Sequence, residues 1–236
     1  FCFMKKCKGI NKAKGFGCNN LVERRKYGLC FEHKCFQKWL YGTDEGKETL
    51  NRHTIKAKKE TKHKERLQDQ KQKIDLMSLS KVKSTMIQPK INELVRIIDN
   101  GQPCIATGNF GKMNAGHFYH AGGSSQIRFN LHNIHIQSFE SNHFKSGDAM
   151  NYIQGIKRIY GDRYLEFMEG LKQTPSDKHT KQFYLELNTK LSEVKKWLKS
   201  EINGQMQDST NRIRLRNQVN ILLGLYENKY AVFKQA

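Results

Sequence analysis

Apolar residues recur at helical spacing in three parts of the chain. In the first, five apolar residues around Pro89 recur at helical spacing, which predicts a helix with one buried face. The proline is tolerated because it falls in the first turn. Turn residues at 99–103 end that helix. Two further helices are predicted after Thr174-Pro175 and in the last segment of the chain. The three apolar sets are Ile87, Ile91, Leu94, Val95 and Ile98; Phe183, Leu187, Leu191, Val194 and Leu198; and Val219, Leu222, Leu223 and Tyr226.

A different pattern occupies residues 104–153. The alternation of Ile134, His135 and Ile136 is typical of a strand. Gly122 and Gly123 suit a loop before it, and the stretch from about Phe139 onward suits a helix. This part of the chain therefore predicts short strands that precede a helix.

A lysine-rich run lies between residues 47 and 83. Residues 52–73 contain nine Lys/Arg and three Asp/Glu, few apolar residues, and no Gly or Pro. Such a segment reads as a solvated basic helix that burial alone would not fold. One interpretation is a DNA arm whose Lys56, Lys58, Lys59 and Lys62 contact phosphates, and the other is a spacer helix.

The whole chain is strongly basic. Its 42 Lys+Arg outnumber 22 Asp+Glu, for a formal charge of +20 and a pI near 9.7, while only 37% of its residues are hydrophobic. This charge favours a polyanionic partner, and nucleic acid comes first. An apolar run approaching the roughly 20 residues of a membrane span is absent from the sequence, and the chain opens without a secretory signal. A cytoplasmic protein without a membrane partner is therefore expected.

Five of the six cysteines lie in the first 35 residues. Without an export signal, this clustering favours metal ligation over disulfides. Cys7, Cys18 and Cys30 supply three ligands of a structural Zn²⁺ module, and Cys35 is preferred over His33 as the fourth. Cys2 is a substitute ligand, and unpaired cysteines are the alternative. Arg24 and Arg25 would project from the module towards nucleic acid, whereas Phe31, Phe36 and Trp39 are expected to pack it.

The candidate catalytic residues are His117, Asn133 and Asn142. Sixteen residues separate the first two and nine separate the last two, which is the layout of an HNH (ββα-metal) nuclease site. A neutral histidine can take the proton of the attacking water near pH 7. Asn133 would orient it, a divalent metal would stabilise the phosphate, and His135 would assist or bind Mg²⁺ or Mn²⁺. Arg128 and Lys145 would clamp phosphate.

The order of these motifs resembles the phage NinG/Rap recombination nuclease family. The resemblance spans roughly residues 50–165, about half of the chain. It implies a metal-dependent endonuclease that acts on branched DNA such as Holliday junctions and D-loops. The residues that carry it are Cys104, 115–119, 128–130, Asn133 to Gln137, Asn142, Gly147 and Tyr152.

The chain departs from that family at two places. The family pattern implies two Cys-x-x-Cys pairs around the strands, but here Thr107 follows Cys104, and Ser138 and Ser141 occupy the second pair. One thiolate of four makes a second tetrahedral zinc unexpected. The family also tends to have an Asp where this chain has Asn114, which removes one negative charge from the metal site. Asp148 lies six residues after Asn142 and could replace that charge. Asn142, Asn114 and Asp148 are therefore the expected ligands of the catalytic metal.

These observations predict an α+β protein in four segments. They are a zinc-binding module (1–42), a basic helical arm (43–85), a small HNH-like ββα-metal core (86–170) and a C-terminal region of packing helices (171–236). The predicted function is a phage endonuclease for branched DNA in the cytoplasm of a bacterial host, and a homodimer would supply two active sites. The alternative is a catalytically silent nucleic-acid-binding protein that retains the zinc module and the HNH-like fold.

Overall fold

A computed structural model describes residues 4–143 and 148–234. The chain divides into two compact units, Phe1–Leu76 and Met77–Ala236. The structure thus places one division of the chain between Leu76 and Met77, and the four predicted segments stay a prediction. Cys2, Lys145 and Gly147 lie outside the described residues.

The first unit opens with two short hairpins. Strand β1 (Lys5–Lys6) pairs antiparallel with β2 (Leu21–Val22), and β3 (Arg25–Lys26) pairs with β4 (Leu29–Cys30). Helix α1 (Cys35–Gly42) follows. Trp39 and Phe36 are buried in a small core, as expected, but Phe31 is 44% exposed. Phe31 follows β4 and covers the Phe36 ring from outside, at 5.2 Å between centroids.

The predicted basic helix is confirmed as α2 (Asp44–Leu76), 33 residues long. At 1.5 Å per residue it extends for about 50 Å. It begins where the Thr43 hydroxyl accepts the Gly46 N–H at 3.0 Å, which satisfies one free donor of its first turn. Gly46 also allows α1 and α2 to touch, because a Cβ there would lie 2.1 Å from the Trp39 carbonyl oxygen. Beyond Thr49, no described side chain of α2 is fully buried.

The second unit is built around the first predicted helix. Helix α3 (Leu79–Val82) runs through a π-helical turn (Lys83–Ile87) into α4 (Gln88–Ile98), which has Pro89 in its first turn. Strand β5 (Met113–His117) and strand β6 (Ile134–Ser138) then form an antiparallel hairpin. The predicted strand is thereby confirmed.

Helices surround this hairpin. Helix α5 (Phe139–His143) begins where a helix was predicted, and residues 144–147 beyond it are not described. It is followed by α6 (Ala149–Tyr160) and α7 (Asp162–Gly170). The C-terminal helices are α8 (Lys181–Ile202), α9 (Ser209–Leu223) and α10 (Asn228–Ala231). Apolar side chains of α4, β5, β6, α8 and α9 form the main core.

A buried ion pair ties the two ends of this unit together. Nη2 of Arg216 on α9 donates to both carboxylate oxygens of Asp99, at 2.9 and 2.7 Å, and both side chains are almost completely buried. Asp99 also accepts the Ile136 N–H of β6, and Arg216 Nε donates to the Leu131 carbonyl. The pair therefore fixes the start of β6 against α4 and α9.

The secondary structure is a mixture of helices and strands, as predicted. Among the described residues, none of the helices is long and apolar enough to cross a membrane.

Candidate metal centre and candidate nuclease site

Four cysteine sulfurs converge in the first unit. The Sγ atoms of Cys7, Cys18, Cys30 and Cys35 all lie within 4.8 Å of one another, and Cys18 and Cys30 are 3.7 Å apart. A tetrahedral zinc with Zn–S bonds of about 2.3 Å separates its sulfurs by roughly 3.8 Å. The spacing of these thiols thus fits a structural zinc, and the donor set is the one that zinc prefers.

The local backbone explains how so small a unit encloses the site. Cys7 follows β1, Cys30 ends β4, and Cys35 begins α1. The Cys30 N–H donates to Cys7 Sγ at 3.2 Å. Gly17 lies so close to Cys7 that a Cβ would approach its carbonyl oxygen to 1.9 Å. Glycine at this position therefore lets the Cys18 loop close over the sulfurs.

The structure brings Cys35, rather than His33, into the group of four. His33 Nδ1 lies 3.6 Å from Cys30 Sγ, and its Nε2 lies 3.3 Å from Asn20 Nδ2. Burial and, after it, the adjacent thiols raise the pKa of Cys35 to about 12. Burial also raises the pKa of Cys30, but hydrogen bonds from His33 outweigh it and lower that pKa to about 6. Four adjacent thiolates require a cation, which a divalent metal would supply.

His117 stands at the end of β5 with one ring nitrogen occupied. Its Nε2 lies 3.0 Å from the Arg128 carbonyl oxygen. A carbonyl only accepts, so Nε2 carries the proton and Nδ1 keeps the lone pair. Burial lowers the pKa of His117 to about 4, and the Arg128 charge adds to that effect. The ring is therefore neutral near pH 7, with Nδ1 unprotonated.

Asn133 acts on the backbone next to His117, not on its ring. Its Oδ1 accepts the Tyr119 N–H at 2.8 Å, and its Nδ2 donates to the Tyr119 carbonyl at 3.1 Å. The Phe118 N–H donates to the Asn133 carbonyl at 2.8 Å. Asn133 is fully buried. It therefore orders the loop that leaves β5, and its role in orienting the His117 ring stays a prediction.

His135 lies in the core of the second unit. It is 1% exposed, and its Nδ1 lies 3.0 Å from the Tyr152 hydroxyl, which donates to the Gly116 carbonyl at 3.1 Å. Burial holds the pKa of His135 well below its usual range, and the charges of Arg216 and Arg212 lower it further. Through the Tyr152 hydroxyl, the His135 ring is linked to the backbone of Gly116, the neighbour of His117. The ring itself is buried.

The hairpin separates the candidate base from the candidate metal ligands. Opposed residues of an antiparallel pair project to the same face, and faces alternate along a strand. His117 opposes Ile134 and shares its face, whereas Asn114 opposes Gln137 on the other face. Asn142 lies on the Asn114 face, since its Oδ1 would be 3.1 Å from a Cβ at Gly116. His117 and Asn142 thus lie on opposite faces.

Asp148 stands at the beginning of α6, near the Asn142 face. Its Oδ2 accepts from the Ser141 hydroxyl at 3.2 Å, and its Oδ1 accepts from Asn151 at 2.9 Å. The structure therefore brings Asp148 to α5 through Ser141. A carboxylate and amide oxygens are ligands that Mg²⁺ and Mn²⁺ accept.

Hydrogen bonds join the residues that stand at the two Cys-x-x-Cys positions of the family pattern. The Thr107 N–H donates to Cys104 Sγ at 3.4 Å, and the Ser141 N–H donates to the Ser138 hydroxyl at 3.2 Å. Within residues 4–143 and 148–234, the clusters of three or more His, Cys, Asp or Glu able to hold a metal both belong to the first unit. The described residues thus hold one four-sulfur centre.

The predicted DNA contacts are distributed over both units. Arg24 and Arg25 are exposed beside β3, and the α2 residues Lys56, Lys58, Lys59 and Lys62 are exposed along the arm. Arg128 is half-buried, and its Nε donates to the Gln88 side chain at 2.7 Å. Arg128 therefore stabilises the loop whose carbonyl contacts His117. Its contact with phosphate stays a prediction.

Three residues at this site make contacts for which the sequence analysis assigned them no role. Gln88 supports Arg128, Tyr152 links His135 to Gly116, and Arg216 fixes the start of β6. Tyr152 belongs to the residues that carry the family resemblance, and Arg216 falls at helical spacing with Val219 and Leu223 on the apolar face of α9.

Together, these features define a class: basic, mixed helix-and-strand proteins with a four-cysteine metal site and a histidine-bearing hairpin. The chain belongs to the NinG family, because the family model described as "Bacteriophage Lambda NinG protein" matches residues 4–211. That match includes the cysteine module, all of α8 and the beginning of α9, well beyond the residues that carried the resemblance in the sequence.

Individual relatives match over a shorter stretch. The chain is 36% identical over 75 residues to protein ninG of Escherichia phage lambda, which covers 30% of this chain and 37% of the relative. It is 35% identical over 75 residues to the ninG proteins of Enterobacteria phage H19B and Salmonella phage P22, with the same coverage. The chain thus spans little more than a third of the length of these relatives. No solved structure matches it significantly.

Proposed function

We propose that this NinG-family protein is a metal-dependent endonuclease of the HNH type that cuts branched recombination intermediates, such as Holliday junctions and D-loops. The observation that carries the proposal is His117. Its Nε2 is held by the Arg128 carbonyl, its pKa is lowered to about 4, and Nδ1 is left as a base at neutral pH. A neutral, oriented imidazole suits removal of a proton from water.

The remaining parts of the reaction are assigned to residues around the hairpin. Asn133 fixes the loop that leaves β5, so that the His117 backbone keeps its position. Asn142, Asn114 and Asp148 would hold Mg²⁺ or Mn²⁺, which stabilises charge on the phosphate when bound.

Binding is assigned to the basic surfaces, which would release counterions from DNA. Arg24, Arg25 and the lysines of α2 are exposed, and Arg128 lies beside His117. Lys145, outside the described residues, is also expected to contact phosphate. Symmetric cleavage of a junction needs two active sites, so a homodimer is expected on DNA.

The decisive experiment incubates the purified chain with branched, duplex and single-stranded DNA in the presence of Mg²⁺, Mn²⁺ or EDTA. The proposal expects cleavage of branched DNA with either metal and none with EDTA. Cleavage that persists in EDTA would contradict the metal role, and equal cleavage of plain duplex would contradict the preference for branches.

The second candidate is a catalytically silent nucleic-acid-binding protein that keeps the zinc module. The opposite placement of His117 and Asn142 on the hairpin favours it, as does the burial of His135. The same incubation distinguishes the two candidates. Tight binding of branched DNA without cleavage under any metal condition would support the silent protein.

A further inference from the structure

A surface cleft of about 470 Å³ opens in the second unit, beside the start of the β5–β6 hairpin. Two phenylalanines project into it from different segments. Phe110 is 75% exposed, and Phe139 is 40% exposed and stacks on His143 with 5.3 Å between the ring centroids. Exposed aromatic rings that share one cleft point to a ligand with an apolar, planar surface. The cleft is lined by Thr107, Asn109, Phe110, Gly111, Lys112, Ser138, Phe139, Glu140 and Ser141.

The backbone that carries the two rings is ordered by hydrogen bonds. The Cys104 N–H donates to the Asn109 carbonyl at 2.9 Å, and the Gly108 N–H donates to the Cys104 carbonyl at 2.8 Å. The Phe139 N–H donates to the Lys112 carbonyl at 3.0 Å, which joins the two segments. Because these bonds exist before a ligand arrives, binding in the cleft would lose little conformational entropy.

The charges around the cleft suit an aromatic group that is attached to an anion. Lys112 Nζ lies 5.4 Å from the centre of the Phe139 ring, and the side chain is exposed and long enough to turn towards a phosphate. Glu140 lines the same cleft and would favour the amino edge of a base over a second phosphate. With a net charge of +20, the protein attracts nucleic acid to this surface.

We propose that this cleft stacks an unpaired nucleobase of the DNA substrate on Phe110 and Phe139, with Lys112 on the adjoining phosphate. Bases in a continuous duplex already stack on their neighbours and offer no free face. A base at a branch point or in a single strand offers its π face to an aromatic side chain. The proposal rests on the DNA substrate of the proposed function, and it assigns the recognition of branched structure to a defined place.

The position of the cleft also fits a role in recognition rather than in the chemical step. Lys112 precedes β5 and Phe139 follows β6, so the cleft lies at the Met113–Ser138 end of the hairpin. His117 and Ile134 form the other end, four residues along, or roughly 14 Å at about 3.4 Å per residue. A base held in the cleft would therefore set which phosphate reaches His117.

The test measures stacking directly, without cleavage. The full-length, zinc-loaded protein is mixed with a DNA junction that carries 2-aminopurine at an unpaired position, with no further divalent metal added. Stacking on Phe110 or Phe139 should quench the fluorescence. Phe110→Ala and Phe139→Ala should each reduce the quenching and weaken binding of this DNA by about 5- to 160-fold, the range for the loss of one base–aromatic stack.

Three controls separate stacking from other effects. Affinity for a fully paired duplex should stay within about twofold in both variants, because no base is free to stack. Phe16→Ala, which removes a 47% exposed ring from the first unit, should leave the quenching unchanged. Phe110→Tyr should retain quenching, whereas Phe110→Leu should lose it.

Several outcomes would overturn the inference. They are full quenching in the Phe110→Ala, Phe139→Ala double variant, an equal loss of duplex affinity, or full function of Phe110→Leu. Since the readout needs no cleavage, a protein that stacks the base but cuts nothing would keep this inference and remove the endonuclease. A protein that cuts branched DNA without stacking would do the reverse.

Discussion

The buried histidines are the residues whose charge depends most on the fold. His117, His132 and His135 all have a pKa below the usual value near 6.5, with burial as the largest cause and arginine charge adding to it. The pKa of His132 falls to about 3, and its ring bonds to Tyr164 and Asn217 in the core. All three rings are therefore neutral when the protein is folded near pH 7.

These shifts predict acid destabilisation. As the pH falls below about 6.5, the unfolded chain protonates each histidine while the folded protein does not, until about pH 4 for His117. The unfolded state then binds more protons, so the free energy of unfolding falls with falling pH, by up to about 1.4 kcal/mol per pH unit for each histidine. Urea unfolding between pH 4.5 and 8 measures this slope.

His132→Gln should reduce that slope by about one proton, and His63→Gln, on the exposed arm, should leave it unchanged. A free energy of unfolding that does not change between pH 6.5 and 4.5 would contradict the neutral, buried histidines.

His117→Ala tests the catalytic role at the same scale. Cleavage should fall by about 10²- to 10⁴-fold, the usual contribution of a general base, while DNA affinity stays nearly constant because binding is spread over many Lys and Arg. His120→Ala is the matched control, since His120 is exposed in the same loop. Cleavage kinetics and a binding titration on one DNA junction measure both quantities, and a normal rate in His117→Ala would remove its assigned role.

The Asp99–Arg216 pair makes a further residue-scale prediction. Arg216→Met leaves Asp99 buried without its main partner, so the free energy of unfolding should fall by about 3 to 5 kcal/mol. Adding Asp99→Asn should recover part of this loss, because the uncompensated charge disappears. Denaturant unfolding of the three variants measures the effect. A loss below about 1 kcal/mol in Arg216→Met would contradict the burial of the pair.

At the scale of elements, the sequence predicts those helices whose formation depends on a local pattern of residues. The spacing of Ile91, Leu94, Val95 and Ile98 predicts α4, and the lysine-rich run predicts α2. The two-residue strands of the first unit are too short to alternate, and they form where the cysteines draw the chain together. Which face of β5 carries His117 depends on pairing with β6, which the sequence of β5 alone does not specify.

The four-cysteine element predicts one zinc per chain. Elemental analysis should find it, and Cys7→Ser or Cys30→Ser should release it and unfold the first unit, since zinc supplies most of the folding free energy of so small a core. Cys35→Ser should release zinc as well, whereas His33→Ala should retain it. The opposite result for this last pair would make His33 the fourth ligand, and two zincs per chain would point to a centre beyond the four cysteines.

The arm α2 predicts a salt dependence. If Lys56, Lys58, Lys59, Lys62 and Lys64 each contact a phosphate, replacing all five by Gln should lower the log–log slope of affinity against salt by roughly 4 to 5 units, at about 0.9 per contact. Binding titrations from low to high salt measure the slope. An unchanged slope would make α2 a spacer, and the contacts would then lie at Arg24, Arg25 or Arg128.

For the whole molecule, the candidate site depends on contacts that are remote in sequence. Asp99 meets Arg216 across 117 positions, and the Leu131 N–H donates to Asn220 across 89. Asn217 both donates to and accepts from the Phe233 backbone. Hydrophobic periodicity places the helices but carries no information about which polar side chains meet, so this part of the site could not be predicted from the sequence.

The position of Arg216 also determines when the β5–β6 hairpin can complete its tertiary contacts during synthesis. A ribosome adds residues from the amino terminus, at about 5 to 20 per second in bacteria. All four cysteines of the first unit are available as soon as residues 1–35 have left the exit tunnel. The start of β6, however, lacks its buried cation until α9 emerges, some 80 residues later by the Ile134–Arg216 contact. A nascent chain therefore brings its four cysteines together early, and it completes the buried ion pair behind β6 only after about 80 more residues have been added.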